Sequence, residues 1–267
     1  MRRLIRFQSP DGSYVLNLPL LAGKQDESYT GRTAIESVPL AAFGWDLLGS
    51  AQVLPEAAEI RVTATLVGED AAAQLRHIRQ VLRRVGRGQL WAEDDGSVQR
   101  WCWARGSVLG SYSVEAGKPL QVAVTIGFVR LSDWFPPSQS SLTQVLTVSP
   151  GTVTVTSSGD VPTSQLRLTL VASGTVGTPA VQNIATGESV SSTRTLASGQ
   201  CLRIDGYQYR VLFSPDGTNW TDDRANTAPG PLQTALLRIA PGTNPIRVAW
   251  SGSGTVTVTV EWHDAYV

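Results

Sequence analysis

The sequence predicts a mainly β chain of two domains, the first with one helix and the second a jelly-roll β-sandwich. Three observations carry this. Apolar and polar residues alternate strictly in several stretches, as in Ile60, Val62, Ala64 and Leu66 against Arg61, Thr63 and Thr65, which is the period of a half-buried strand. Helical spacing is convincing only once, over residues 69–85. Beyond residue 136 that spacing vanishes, and short strands recur between turns.

The elements of the first domain, residues 1–136, follow in order. Residues 4–8 and 14–18 flank Ser9-Pro10-Asp11-Gly12-Ser13, a turn sequence, and predict a hairpin. Residues 19–37 carry Gly, Asp, Glu, Ser and Thr without a period and predict an exposed loop or arm. Residues 38–54 mix apolar residues with Pro39, Gly44 and Gly49 and give no clear element. Residues 59–67 are the alternating strand. The helix follows, with Glu69 and Asp70 at its positive end. Leu75, Ile78, Leu82 and Val85 form an apolar stripe, Arg76, Arg79, Arg83 and Arg87 the opposite one, and Gly86 the stop. Residues 89–93 predict a strand, Asp94-Asp95-Gly96-Ser97 a hairpin turn, and the stretch with Trp101 and Trp103 the return strand. Ala116-Gly117-Lys118-Pro119 marks another turn. Residues 120–129 are a strand, with Val122, Val124, Ile126 and Phe128 in period two.

Pro136-Pro137-Ser138-Gln139-Ser140-Ser141 has linker composition and places the domain boundary. The second domain, residues 137–267, predicts strands at 144–148, 153–156, 165–171, 181–184, 200–204, 209–213, 236–239, 246–250 and 256–262, a jelly-roll pattern. The strand at 236–239 is expected to lead into the turn Pro241-Gly242-Thr243-Asn244.

Composition bounds the function. The chain has 267 residues, 42% hydrophobic and 16% charged, with zero formal net charge. That balance gives no general pull toward nucleic acid or membrane and no self-repulsion against association. Cys102 and Cys201 make neither a disulfide framework nor a metal site. The start, Met1-Arg2-Arg3-Leu4-Ile5-Arg6, is basic, but no apolar signal core follows it. No segment approaches the about 20 apolar residues that span a bilayer. A protein made in a cytoplasm, without membrane insertion, is expected.

Several stretches carry a resemblance. They are Ser198-Gly199-Gln200-Cys201-Leu202-Arg203-Ile204-Asp205, then Leu236 through the Pro-Gly turn to Val248, then Gly254 to Tyr266. Before them stand the helix, Gln89-Leu90-Trp91, an acidic turn, an aromatic return strand and Asp133-Trp134-Phe135-Pro136. In this order the chain resembles the distal tail proteins of long-tailed, siphovirus-type bacteriophages. It departs from their pattern in two places. Aliphatic Leu236, Leu237 and Ile239 replace the usual aromatic, and residues 215–231 are longer and more polar than a plain connection.

The resemblance implies a barrel- or sandwich-like belt domain that closes a homohexameric ring, and a galectin-like sandwich facing outward. It implies a structural, non-enzymatic part of the virion tail tip, made in the bacterial host. Its partners would be itself, the tail tube protein, the tail-tip hub protein and, through the outer domain, a host cell-surface glycan. No cofactor is implied. The alternative is a carbohydrate-binding module or adhesin acting through the sandwich.

Candidate contact residues fall in two groups. Trp101 and Trp103 are two apart and share one strand face, filling either the core or a subunit interface. Arg76, Arg79 and Arg83 face water or pair with acids of a neighbouring subunit. Contact with phosphate is the lesser reading, because the acids of this domain balance its bases. Asp216, Trp220, Asp222 and Asp223 could touch a glycan or partner. The plainer reading is a Pro215-Asp216-Gly217 turn with Trp220 on the sheet edge. Calcium needs about six to eight converging oxygens, and these spacings match no known loop. Glu93, Asp94 and Asp95 are adjacent in a turn and point apart, unlike a glycosidase pair. His77 and His263 have no nucleophile partner in a recognisable motif. No Gly-rich phosphate loop precedes the helix.

Overall fold

In the computed structural model, residues 3–18, 25–27, 59–67, 71–93, 98–113, 121–230 and 236–266 are described. Those up to Pro137 belong to one compact unit, and those from Ser138 onward to another.

The leading unit is one seven-stranded antiparallel sheet. Its strands are β1 (Arg3–Gln8), β2 (Val15–Asn17), β3 (Gln25–Glu27), β4 (Glu59–Val67), β5 (Arg87–Glu93), β6 (Gln99–Ser113) and β7 (Gln121–Arg130), in the order β2-β1-β5-β6-β7-β4-β3. Helix α1 (Ala71–Val85) lies against it. The alternation read in β4 and β7 is the buried face: Ile60, Val62 and Leu66 beside Val122, Val124, Ile126 and Phe128. Phe7 and Phe128 meet at 5.2 Å between ring centroids.

α1 buries Ala71, Ile78, Val81 and Leu82. Leu75 and Val85, expected on that stripe, are half-buried at its flanks. Gly86 ends the helix with φ 58°, its N–H donating to the Leu82 carbonyl at 3.2 Å. This is the left-handed geometry that favours glycine. Gly106 on β6 makes room for the helix, since a Cβ there would meet Leu82 at 2.6 Å and Phe128 at 2.8 Å.

The arm expected over 19–37 contains a strand, because β3 pairs with β4 from Gln25↔Val62 to Glu27↔Ile60. Its short polar sequence has no alternation to reveal it. The expectations for 38–54, for Glu69 and Asp70, and for the turns at 94–97 and 116–119 lie outside the described residues.

The trailing unit is a two-sheet sandwich. One sheet contains β8 (Ser140–Leu146), β10 (Leu166–Ser173), β14 (Cys201–Asp205), β15 (Arg210–Ser214), β16 (Thr221–Asp222) and β19 (Thr255–Trp262), in the order β16-β15-β14-β10-β19-β8. The other contains β9 (Gly151–Ser157), β11 (Val176–Asn183), β12 (Ser189–Ser192), β17 (Thr227–Pro229) and β18 (Gly242–Ser251), in the order β17-β12-β11-β18-β9, with β13 (Thr195–Leu196) on β11. The two inner faces alternate as the pleat requires. Leu168, Leu170, Val258 and Val260 come from one sheet, and Val153, Val155, Ile246 and Val248 from the other, all within one core. Each such side chain contributes about 1.5–3 kcal/mol on burial.

Three readings are corrected here. Ser140 and Ser141, assigned to the linker, belong to β8, where Ser140 pairs with Trp262 and Ser141 with Glu261. Residues 236–239 are not a ladder strand; only Ile239 bridges Thr163. Leu236, Leu237 and Ile239 are nevertheless buried, so the apolar run reported burial rather than pairing. Gly242, Thr243 and Asn244 open β18 instead of forming a free turn. The Asn244 side chain, fully buried, accepts from Ala240 N–H at 2.8 Å and donates to the Ala240 and Gly242 carbonyls at 2.7 and 3.0 Å.

Candidate interaction surfaces

The aromatic group of the leading unit is built by β5 and β6. Trp91 and Trp101 are directly paired, so both stand on the sheet face away from α1, as does Trp103. Trp101 and Trp103 meet edge to face at 5.4 Å, and Phe135 packs on Trp101 at 5.0 Å. The segment after β7 folds back along β6: Trp101 and Phe135 exchange backbone hydrogen bonds of 2.9 and 2.7 Å, and Leu131 N–H reaches the Trp103 carbonyl at 2.7 Å. Trp101 and Trp103 are thereby buried inside their own unit, 5% and 8% exposed. Outward, this face offers the half-buried Trp91, with the Arg6 guanidinium 4.4 Å over it, and Arg87 4.8 Å over Trp103.

Arg76, Arg79 and Arg83 are exposed on the outer stripe of α1. The helix packs over Gly106, on the opposite face of β6 from Trp101 and Trp103. The structure therefore does not bring the arginines and the tryptophans to one place.

In the trailing unit, Asp216 is the acceptor of its own turn. Thr218 N–H and Asn219 N–H each donate to Oδ1 at 2.9 Å, and Asn219 Nδ2 donates to Oδ2 at 2.6 Å. The N–H groups of Asn219 and Thr218 hold this carboxyl well below the usual range. Trp220 is half-buried, and the Arg203 guanidinium covers its ring at 3.7 Å. Asp222 pairs with Arg224 at 2.9 Å, the main cause of its lowered carboxyl pKa. Asp223 is 1% exposed and holds Arg194 and Asn226.

Each acid is thus committed to a separate partner. No group of three or more His, Cys, Asp or Glu side chains that could hold a metal exists among the described residues. Nor does any described helix have the length and apolarity to cross a membrane. Arg203 and Arg194 organise this region, and the sequence reading passed over them as site residues.

No family model matches the chain, and no curated protein matches it. Among solved structures, two similar molecules align with the chain over nearly its whole length. The crystal structure of the Dit protein of phage SPP1 covers 98% of this chain and 99% of its own, with TM-score 0.55 and 15% identity. The chain has the distal tail protein fold. That fold accounts for the mainly β make-up of both units, the sheet with its helix and the sandwich after it, as the resemblance implied. The Dit protein of SPP1 is described as a paradigm of the hub adsorption apparatus in phages that infect Gram-positive bacteria. A chain of the phage P2 baseplate, in its activated conformation with Ca, aligns over 100% of both molecules with TM-score 0.49 and 11% identity.

Proposed function

We propose that this protein is a structural component of a phage tail tip, a distal tail protein, and not an enzyme. The observation that carries the reading is the match to SPP1 Dit along nearly the whole of both chains, so that both units of this chain fall within the alignment. A function built on one grafted site would need only one of them. In this reading residues 1–136 close a ring of six copies by heterologous contacts, each subunit's patch meeting a different patch on the next. The exposed arginines of α1, Arg76, Arg79 and Arg83, lie on a surface available for such contacts. Trp101 and Trp103 stiffen the sheet behind it. The ring joins the tail tube protein to the hub protein of the tip in the assembled virion. The sandwich, residues 137–267, carries further tip proteins or meets the host surface.

The adhesin reading has less support, because the Asp216, Asp222 and Asp223 carboxylates and one face of Trp220 are already engaged within the chain. Negative-stain imaging and mass photometry of the purified full chain test the proposal. Particles of six copies with a central hole are the expected result. Monomers both alone and in the presence of tail tube and hub proteins would overturn it.

A further inference from the structure

The two sides of the sandwich end differently. On one side its sheets stop at β16 and β17, two and three residues long, carrying Asp222 and Pro229. Short strands, charge and proline are the devices that keep an exposed edge from pairing. On the other side, among the described residues, the sheets stop at β8 and β9, seven residues each, and both run against their neighbours without a register shift. Neither strand contains proline, and no charged side chain occurs between Asp133 and Asp160. Of the two, β8 leaves apolar surface unfilled. Val145 is 58% exposed, Val148 just beyond it is 70% exposed, and Leu142 is only partly buried against the core.

We propose that β8 is a docking edge for a second copy of this chain. The two β8 strands pair antiparallel about Thr143, so that one sheet continues through both copies. Such a contact is isologous: each residue meets its own copy or its symmetry mate. A charge near the axis would be set against itself, and like charges directly opposite are destabilising. β8 has none, a neutrality that a contact with an unlike partner does not require. Pairing about Thr143 sets Ser141 opposite Val145 and Leu142 opposite Gln144. Thr143 already shares a hydroxyl hydrogen bond of 3.0 Å with Thr259. Its mate across the axis extends that hydroxyl row into the partner sheet, a favourable cross-strand pair. The incoming strand also supplies the hydrogen-bonding groups that an edge strand lacks on its outer side.

This contact lies in the trailing unit and is separate from the ring assigned to the leading one. Mass photometry of the full chain therefore compares wild type with T143K, a charge placed at the proposed axis. A twofold drop in copies per particle is expected, whatever the ring state. As a second arm, T143C is oxidised gently and run without reductant, beside T152C on the exposed face of β9. A covalent dimer for T143C and none for T152C is the expected outcome. An unchanged copy number in T143K together with no T143C dimer overturns the proposal and leaves β8 for a strand of a different protein. Loss of rings in wild type and variant alike would bear on the ring reading alone.

Discussion

Arg194 closes over the carboxylate of Asp223, with Nε 3.0 Å from both carboxylate oxygens, while its guanidinium also lies 4.1 Å from the centre of the Phe213 ring. The pair is asymmetric: the Asp223 side chain is 1% exposed and that of Arg194 30%. Arg194 stands in the short connection between β12 and β13. Its carbonyl is fixed there by Thr178 N–H at 3.0 Å, from the β11 irregularity in which Thr178 takes φ 44°. The arginine thus joins the polar end of one sheet to the loop that closes the other.

Removing Arg194 leaves a buried carboxylate without its cation, whereas removing Asp223 leaves an arginine that still reaches water. R194A is therefore expected to lower stability by about 3 kcal/mol and D223A by less. R194K, which loses the forked geometry, should fall between wild type and R194A. Urea unfolding of the full-length variants checks the order.

Asn244, itself buried, spends both ends of its amide on the Ala240 and Gly242 backbone, and Asn183 Nδ2 adds a fourth hydrogen bond, to its oxygen, at 3.1 Å. N244A leaves the Ala240 N–H and two carbonyls without partners. The expected loss is about 2–3 kcal/mol. N244D should be worse, because its carboxylate would face the carbonyls that the amide nitrogen now serves. Thermal unfolding of the two variants side by side distinguishes them.

Two glycines of the leading sheet should differ in tolerance. A Cβ at Gly106 would press on the Leu82 and Phe128 side chains, which can shift. At Gly88 it would meet the Gln8 carbonyl oxygen, backbone of the neighbouring strand, as well as Val85 and Phe7. G106A is expected to cost about 1–2 kcal/mol and G88A about 3 kcal/mol. Equal midpoints for the two in denaturant would contradict this packing.

Acid should weaken the trailing unit through Asp264. Burial opposes its charge, but hydrogen bonds from Ser158, Ser157 and Trp262 win and lower its pKa in the fold. A depressed carboxyl pKa stabilises above the unfolded value of about 4 and loses that contribution as pH falls through the folded value. The stability gap between wild type and D264N should be constant at neutral pH and shrink below about pH 4. Melting temperatures measured across that range provide the check.

What the residues disclosed follows from what each side chain meets. Ile60, Val62 and Leu66 face the core, as do Ile78 and Leu82, so their spacing reported β4 and α1 directly. β12, β13, β16 and β17 passed unnoticed because strands of two to four residues are too short to show a period. Leu236 to Ile239 looked like a strand since burial in an irregular segment selects the same aliphatic residues. Asp223 reads from the sequence as a glycan or partner contact because its cation is far away in sequence, and no local spacing announces a pair made by folding. The aromatic pair was legible as one strand face. That it would be covered was not, since the cover comes from Leu131 to Pro136 folding back along β6.

This fold-back has a mechanical consequence. The last residues before Pro137 are stitched to the first half of the longest strand, with Trp134 and Phe135 2% and 3% exposed and the Trp101 indole donating to the Pro136 carbonyl at 3.1 Å. A pull on the polypeptide at Pro137 is therefore taken up first by β6 and only then by β7. Load arriving from whatever the trailing half grips would be spread into the centre of the leading sheet, and its end would not simply peel away.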